Sequence, residues 1–565
     1  MADNPSTTGK STRTVFATAP VWLPVALVLI VFAQVLGHDW VDFDDPRHVT
    51  ENPLLTPVTA EHLATFWRAP FFQLYIPASY TLLAAEAAAS RWLAGDAADA
   101  PLRPWLFHAT SLALHAATAW LVARLLRRLG SPPWAAAAGA MVFAVHPLQV
   151  ETVAWVSEQR TLLATGLSLV AVDALLAWAD GAAASLRSRR YLAATAAFTL
   201  ALLAKPSAVA VPPVAVVLAW WREQKPRKAL LVGLVPWFAI AALDVGVTRF
   251  AQPPSLVSDV PSIPERLLVA GDALAFYATK LVAPWKLCVA YGRMPRFVIG
   301  LPATPAVAAA VGLALAAVFL LPRLAAWRLP TLLFVVALLP VLGFVPFVFQ
   351  NQSTVADRYA SLALLGPALG IAGLVAAVAR RPAWRGFLAA GTAITIAGLA
   401  ALSWQQAATW RDTRTLALQA CRVSPGLTVP WTLLSAWHLD HGEVEAAVAT
   451  AERAATLAPG NAIAWLNLGA GLVRLREFDA ATAAFARART AGTTQAEAAA
   501  IFHNRGHFHY LAGRFAEAVT NFRIAADLDP SSVASVTNLA AALRRLGRED
   551  EAEQVLDRLP DDAGR

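Results

Sequence analysis

Four short stretches carry residue types that do chemistry on charged, polar substrates. The first is Val41-Asp42-Phe43-Asp44-Asp45-Pro46, just past the apolar run from Pro20 to Gly37. Adjacent carboxylates repel, more so beside a low-dielectric surface, and one of them is a candidate general base. The second runs from Val145 to Arg160 and crowds His146, Glu151, Trp155, Glu158 and Arg160 into one hairpin. There the spacing of Glu151, Trp155 and Glu158 predicts one shared helical face. The third is Lys205-Pro206, with Lys205 a point charge for a phosphate. The fourth is Asp357-Arg358-Tyr359, where Arg358 could grip a phosphate bidentately with Asp357 orienting it. Each stretch also has a plainer reading. Asp44-Asp45 reads as an acidic turn closed by Pro46, and His146 as a cap or packing residue. Glu158 and Arg160 could be an ion pair, Lys205 a snorkelling side chain, and Asp357–Arg358 a structural pair. Taken together, a carboxylate base beside Lys205 and Arg358 suits a sugar carried on a lipid phosphate.

These stretches gain a common location from the apolar segments between them. The chain has 565 residues, 57% of them apolar and 15% charged, against about 25% charged in an average soluble chain. Apolar runs of spanning length follow one another near 20–37, 105–128, 134–149, 160–180, 191–204, 206–221, 229–250, 301–322, 329–349, 358–379 and 386–404. With residues 1–19 as a cytoplasmic tail, these eleven spans put every strongly basic loop inside. Those loops hold Arg124, Arg127 and Arg128; Arg187, Arg189 and Arg190; Arg222, Lys225, Arg227 and Lys228; Arg323 and Arg328; and Arg380, Arg381 and Arg385. The four chemical stretches then share the outer face. Segments 75–94 and 265–287 carry too many charges to cross and read as interfacial amphipathic helices. The formal net charge of +8 belongs mostly to the inner loops. No basic patch with interleaved aromatics suggests nucleic acid. Cys288 and Cys421 are too few for a disulfide framework or a multi-cysteine zinc site. His108 and His115, seven apart in the second span, suit interhelical hydrogen bonds better than a metal.

After Trp404 the composition turns soluble and repetitive. Gly442-Glu-Val-Glu-Ala-Ala447, Arg476-Glu-Phe-Asp-Ala-Ala481, Gly513-Arg-Phe-Ala-Glu-Ala518 and Gly547-Arg-Glu-Asp-Glu-Ala552 begin 34, 37 and 34 residues apart. Asn467-Leu-Gly469, Asn504-Arg-Gly506 and Asn538-Leu-Ala540 recur in step. The pattern resembles the tetratricopeptide repeat, a stack of helix pairs with a concave surface for peptides or proteins. About four units are expected, the last truncated after Leu556.

The ordered set of Phe43-Asp44-Asp45-Pro46, Glu51-Asn52-Pro53, His146-Pro147-Leu148-Gln149-Val150-Glu151, Trp155-Val156-Ser157-Glu158, Lys205-Pro206, Val345-Pro346-Phe347 and Ala356-Asp357-Arg358-Tyr359, followed by repeats, resembles the TMTC-type transmembrane and tetratricopeptide-repeat proteins and their bacterial homologues. Those are similar to GT-C fold glycosyltransferases. The resemblance implies an all-α architecture: a polytopic GT-C-like helical bundle over 20–404, with an acidic first external loop at 38–104, a linker at 405–425 and a repeat α-solenoid over 426–565. It implies transfer of a hexose, mannose-like, from a polyprenyl-phosphate donor to a hydroxyl, as on protein Ser or Thr, with inversion. Asp44 or Asp45 would be the base, Arg358 and Lys205 the phosphate ligands, and His146, Glu151, Trp155, Glu158, Arg160, Asp357 and Tyr359 the pocket. A divalent metal, Mg or Mn, would sit on Asp44 and Asp45 if anywhere. The Ala- and Arg-rich composition points to a bacterial inner membrane and an undecaprenyl carrier, with the repeats extracytoplasmic and docking a protein acceptor or partner. The alternative from another class is a non-catalytic membrane scaffold whose repeats recruit envelope proteins.

Overall fold

Proline opens helix after helix in this chain, where its missing N–H costs nothing and its fixed φ starts the turn. Pro104–Arg128, Pro133–Val145 and Pro77–Trp92 all begin this way. The computed structural model describes residues 21–95, 101–181, 185–223, 228–252, 257, 260–491, 495–511, 513–530, 532–557 and 559. The expected cytoplasmic tail at 1–19, and Lys225 and Arg227 of one basic loop, lie outside the described residues. Among the described residues the chain is all helical apart from one isolated bridge between Phe71 and Leu74. It divides into two units, Met1–Leu416 and Ala417–Arg565.

Among the described residues of the first unit, five helices are long and apolar enough to cross a membrane: Pro104–Arg128, Val156–Ala179, Ala229–Ala251, Pro322–Val341 and Pro382–Trp410. Leu23–Gly37, Pro133–Val145, Pro206–Trp221, Thr304–Leu320 and Leu365–Val378 are apolar but shorter, at 10–17 residues. Arg189–Ala204 is also short, at 16 residues. The expected eleven spans therefore include six that fall below the length of a straight crossing of about 20 residues. Large apolar side chains face outward, Leu320 and Phe387 each at 76% and Ile394 at 72%. In the helix Arg385–Ala407 only Ser403 and Ala407 are buried. Soluble monomers rarely expose so much contiguous apolar surface.

Small residues let the helices close on one another. A Cβ on Gly139 would collide with the carbonyl of Ala368, and one on Gly366 with the carbonyl of Pro330. The helices Pro133–Val145 and Leu365–Val378 thus meet backbone to backbone. The segment after Gly37 is itself folded. Val49, Leu55, Phe66, Ile76, Tyr80, Leu83, Phe107 and Val156 form a separate apolar core. Phe66 stacks on Tyr80 at 4.4 Å. The helix Pro77–Trp92 anchors through the Ser79 hydroxyl, which donates to the Ala204 carbonyl at 2.9 Å. Its 16 residues are too few to span a bilayer core of about 30 Å.

The second unit consists, among the described residues, of four helix pairs: Thr428–Asp440 with Val444–Leu457, Ala462–Arg474 with Phe478–Thr490, Gln495–Leu511 with Phe515–Leu528, and Val533–Arg545 with Glu549–Leu556. Each pair turns on a residue with positive φ: Gly442 at 74°, Arg476 at 63°, Gly513 at 73° and Gly547 at 71°. Gly469 and Gly506 leave room for the rings of Phe485 and Phe522. Asn467 ties its repeat to the preceding one, donating to Thr432 O at 3.1 Å and Ser435 Oγ at 2.8 Å. Arg476 is exposed and alone among the four turns pays the left-handed penalty of about 1 kcal/mol. Arg476→Gly is expected to stabilise the repeats by about 0.5–1 kcal/mol, read as a higher unfolding midpoint; an unchanged or lower midpoint contradicts it.

Candidate functional site

The acidic loop treats its two aspartates differently. Asp45 is 1% exposed, and both of its oxygens are occupied. Oδ1 accepts from the Ser157 amide at 3.0 Å and the Ser157 hydroxyl at 2.5 Å, while Oδ2 accepts from the Val41 amide at 3.1 Å. Asp45 is a clasp between the loop and the Val145–Arg160 hairpin. Asp44 points elsewhere. Its side chain is 28% exposed and lies 3.6 Å from Arg160 Nη2. Of the two carboxylates, Asp44 is the one an incoming group can reach.

Burial raises the Asp45 carboxyl to about 6, against the hydrogen bonds from Ser157 and Val41 that favour its ionised form. The folded chain therefore binds this proton more tightly than the unfolded chain. The stabilisation is full below about pH 4 and is lost as pH rises through about 6. Asp45→Asn is expected to remove that fall from the unfolding temperature between pH 4 and 6.5. A variant that keeps the wild-type pH profile would show that Asp45 is not its source.

The hairpin is not one helix. Val150–Ala154 ends at Trp155, whose extended backbone (φ −107°, ψ 118°) starts the short turn Val156–Glu158. The expected single face for Glu151, Trp155 and Glu158 gives way to a kink, because Trp155 turns inward to stack on Trp410 at 5.5 Å. The kink places Glu151 and Glu158 on either side of Arg358. Arg358 donates its backbone N–H to Glu151 Oε2 at 3.0 Å, its Nη1 to Glu151 Oε1, and its Nε lies 3.5 Å from Glu158 Oε1. Glu158 is fully buried and also takes Arg160 Nη2 at 2.6 Å, Lys205 Nζ at 2.7 Å and the Thr161 hydroxyl. Lys205 sits at an extended break between Arg189–Ala204 and the turn Pro206–Ala210, which aims it at Glu158. Arg160, Lys205 and Arg358 face Glu151 and Glu158, leaving one positive charge in excess within the buried cluster; the part-exposed Asp44 lies at its rim, 3.6 Å from Arg160.

Two clefts flank this cluster. One is lined by Lys205, Arg358, Tyr359, Thr161, Thr165 and Ser361 among others. The other is lined by Arg160, Ser157, His48, Tyr80 and apolar side chains of the acidic loop. His48 bonds Tyr80 Oη at 2.9 Å, and burial lowers its imidazole to about 4, so it stays neutral at pH 7.

Several expected roles change. Asp357 does not orient Arg358; it accepts from Tyr291 Oη at 2.7 Å, and Glu151 takes the orienting place. His146 uses both ring nitrogens on backbone, Nδ1 with Leu148 N at 3.3 Å and Nε2 with Leu281 O at 3.2 Å. His115 makes the expected interhelical bond, to Ala144 O at 2.8 Å. Tyr359 lies beside the cations, its ring 5.1 Å from Arg358 and 5.8 Å from Lys205. A divalent metal fits Asp44 and Asp45 poorly, since the oxygens of Asp45 already accept from N–H and O–H donors and Asp44 faces a guanidinium. Among the described residues no three His, Cys, Asp or Glu side chains gather as a metal site. Sequence reasoning did not single out Ser157, Thr161, His48, Tyr80 or Tyr291. Neutral side chains of this kind carry no spacing signal, and only the fold brings them to the charges.

The tetratricopeptide repeat family matches residues 509–565, which lie within the array of helix pairs of the second unit. Over 142 residues the chain is 29% identical to the protein O-mannosyl-transferase Tmtc2 of Drosophila melanogaster. That match covers 25% of this chain and 15% of the relative, so the chain spans far less than the relative's length. A crystal structure of the MamA protein is 18% identical with a TM-score of 0.23, covering 26% of this chain and 78% of that one. YrrB, a TPR protein with an unusual peptide-binding site, is 16% identical with a TM-score of 0.16, covering 25% and 89%.

Proposed function

We propose that the chain is a membrane glycosyltransferase that moves a hexose from a polyprenyl-phosphate donor to a hydroxyl group. The observation that carries this reading is the buried cluster of Arg160, Lys205 and Arg358, one positive charge in excess, with the reachable carboxylate of Asp44 at its edge. A phosphodiester brings one negative charge and neutralises the excess. In the reaction, the acceptor oxygen bonds to the anomeric carbon while the bond from that carbon to the phosphate oxygen breaks. The phosphate leaves with the electron pair and gains a second negative charge, which Arg160, Lys205 and Arg358 stabilise. Asp44 takes the proton of the attacking hydroxyl, a role worth about 10²–10⁴ in rate. Attack from the face opposite the phosphate inverts the anomeric centre. Arg358 and Lys205 hold the phosphate, and Glu151, Trp155, Glu158, Tyr359 and Asp45 fix the groups that act. Asp357 and His146 brace the surrounding backbone.

The outward apolar surface of the first unit supports a multi-pass bacterial inner-membrane location, with 20–404 as the catalytic part. The loop-charge pattern supports an extracytoplasmic site and repeats on the same side. Residues 405–425 then serve as linker and 426–565 as a docking array for a protein acceptor or partner. The partial likeness to an O-mannosyl-transferase favours a mannose-like sugar and protein Ser or Thr as acceptor. A scaffold without catalysis is the second reading, favoured by the family match falling on the repeats. Binding of a labelled polyprenyl-phosphate hexose to the purified protein separates the two. Retention by wild type and weakened retention by Arg358→Lys supports the enzyme, whereas absence of binding beside intact partner capture supports the scaffold.

A further inference from the structure

The chain leaves its last long apolar helix at Trp410 and enters the helix Thr413–Val423, which leads to the repeats. The few residues between make specific contacts to the acidic loop. The Asp39 amide donates to Arg411 O at 2.9 Å. The Asp42 amide donates to Thr413 Oγ1 at 2.9 Å, and the Thr413 hydroxyl donates back to Asp42 Oδ2 at 3.0 Å. Thr413 is 4% exposed while Asp42 is exposed, so the two-bond clasp fixes an open stretch of the loop to a buried hydroxyl. Trp410, 1% exposed, stacks on Trp155. Trp155 in turn lies 5.5 Å from the Arg358 guanidinium and meets the edge of Phe43 at 5.6 Å.

These contacts bracket Asp44. Asp42 is held by Thr413, Phe43 by Trp155, and Asp45 by Ser157, which leaves the Asp44 carboxylate as the group turned toward Arg160. We propose that Trp410 and Thr413 are positioning residues that set Asp44 and Arg358 in one frame. The proposal rests on the glycosyltransferase reading above. A base displaced by a fraction of an ångström loses much of its effect, so holding the loop backbone matters more than its local stability suggests. Because Thr413 is the first residue of the helix that continues into the repeats, the chain's route to its docking array begins at the residue that holds the base's loop.

The test uses the full chain in lipid nanodiscs and three variants. Thr413→Val keeps the shape and removes both hydrogen bonds; Thr413→Ser keeps the hydroxyl; Asp42→Ala removes the side-chain acceptor of the same clasp. Thr413→Val is expected to raise amide hydrogen exchange at Asp42 and Phe43 about tenfold. It is also expected to lower kcat about tenfold while KM for the donor stays within about twofold. Thr413→Ser should restore both readouts. If Thr413→Val does not fold, Asp42→Ala, which removes the acceptor, carries the same direction of change for exchange at Phe43 and for kcat. Unchanged exchange, or raised exchange with unchanged kcat, overturns the positioning role while the enzyme reading stands. A wild type that exchanges slowly at these amides but has no turnover overturns the enzyme reading, and the positioning role falls with it.

Discussion

Asp44→Asn is expected to lower turnover by about 10²–10⁴ with little change in unfolding temperature. The side chain makes one long contact, 3.6 Å to Arg160, and is 28% exposed, so an amide of the same size fits where the carboxylate stood. What disappears, in the proposed mechanism, is the acceptor for the hydroxyl proton. Asp45→Asn should behave in the opposite manner. Its carboxylate accepts from two amides and a hydroxyl, and an amide group would set an N–H donor against one of them. An unmet buried donor costs about 1–3 kcal/mol, so this variant should lose stability, and turnover only as the loop loosens. Steady-state kinetics beside thermal unfolding read both variants. Equal kinetic losses at equal stability would mean that the two aspartates act as one acid pair and that the division of labour is wrong.

Glu158→Gln carries the largest expected effect on the fold. Glu158 has no exposed surface and is in contact with three cations. Removing its charge leaves Arg160, Lys205 and Arg358 facing Glu151 alone within the buried cluster. Breaking a buried pair by neutralising one partner typically costs about 3–5 kcal/mol, because the remaining charges have already left water. Lys205→Met in the same background removes one of the uncompensated charges. The double variant should recover part of the loss, with a coupling of about 0.5–3 kcal/mol in a double-mutant cycle. Thermal unfolding in detergent gives the numbers. A Glu158→Gln protein as stable as wild type would mean that water, not the carboxylate, compensates the cations, and the argument from excess positive charge would lose its footing.

The repeats were legible because their signal is periodic and local. Gly442, Gly513 and Gly547 stand at turns that need positive φ, and Gly469 and Gly506 where a ring must pass. Apolar composition likewise announced the helices of the first unit, but not which of them are long: Pro133–Val145 and Leu365–Val378 are short, and they close on each other where Gly139 meets the Ala368 carbonyl. The charged members of the site were visible for a different reason, since ionisable groups amid apolar helices are costly and therefore few. Who pairs with whom was not visible. Arg358 has Asp357 beside it in sequence, yet Glu151, 207 residues away, takes its backbone N–H and guanidinium. The kink at Trp155 is what permits this, and it arises from a stack on Trp410 that no local pattern announces. The distinction between Asp44 and Asp45 similarly needs Ser157, a neutral residue from another element.

The most direct test of the central claim is sugar transfer by the purified wild-type protein in lipid, from a labelled polyprenyl-phosphate hexose, with Asp44→Asn run beside it. The account predicts release of polyprenyl phosphate and an inverted glycoside from the wild type, and loss of both in Asp44→Asn despite retained donor binding. Absence of transfer and of donor binding across a panel of hexoses, or wild-type turnover by Asp44→Asn, would contradict it.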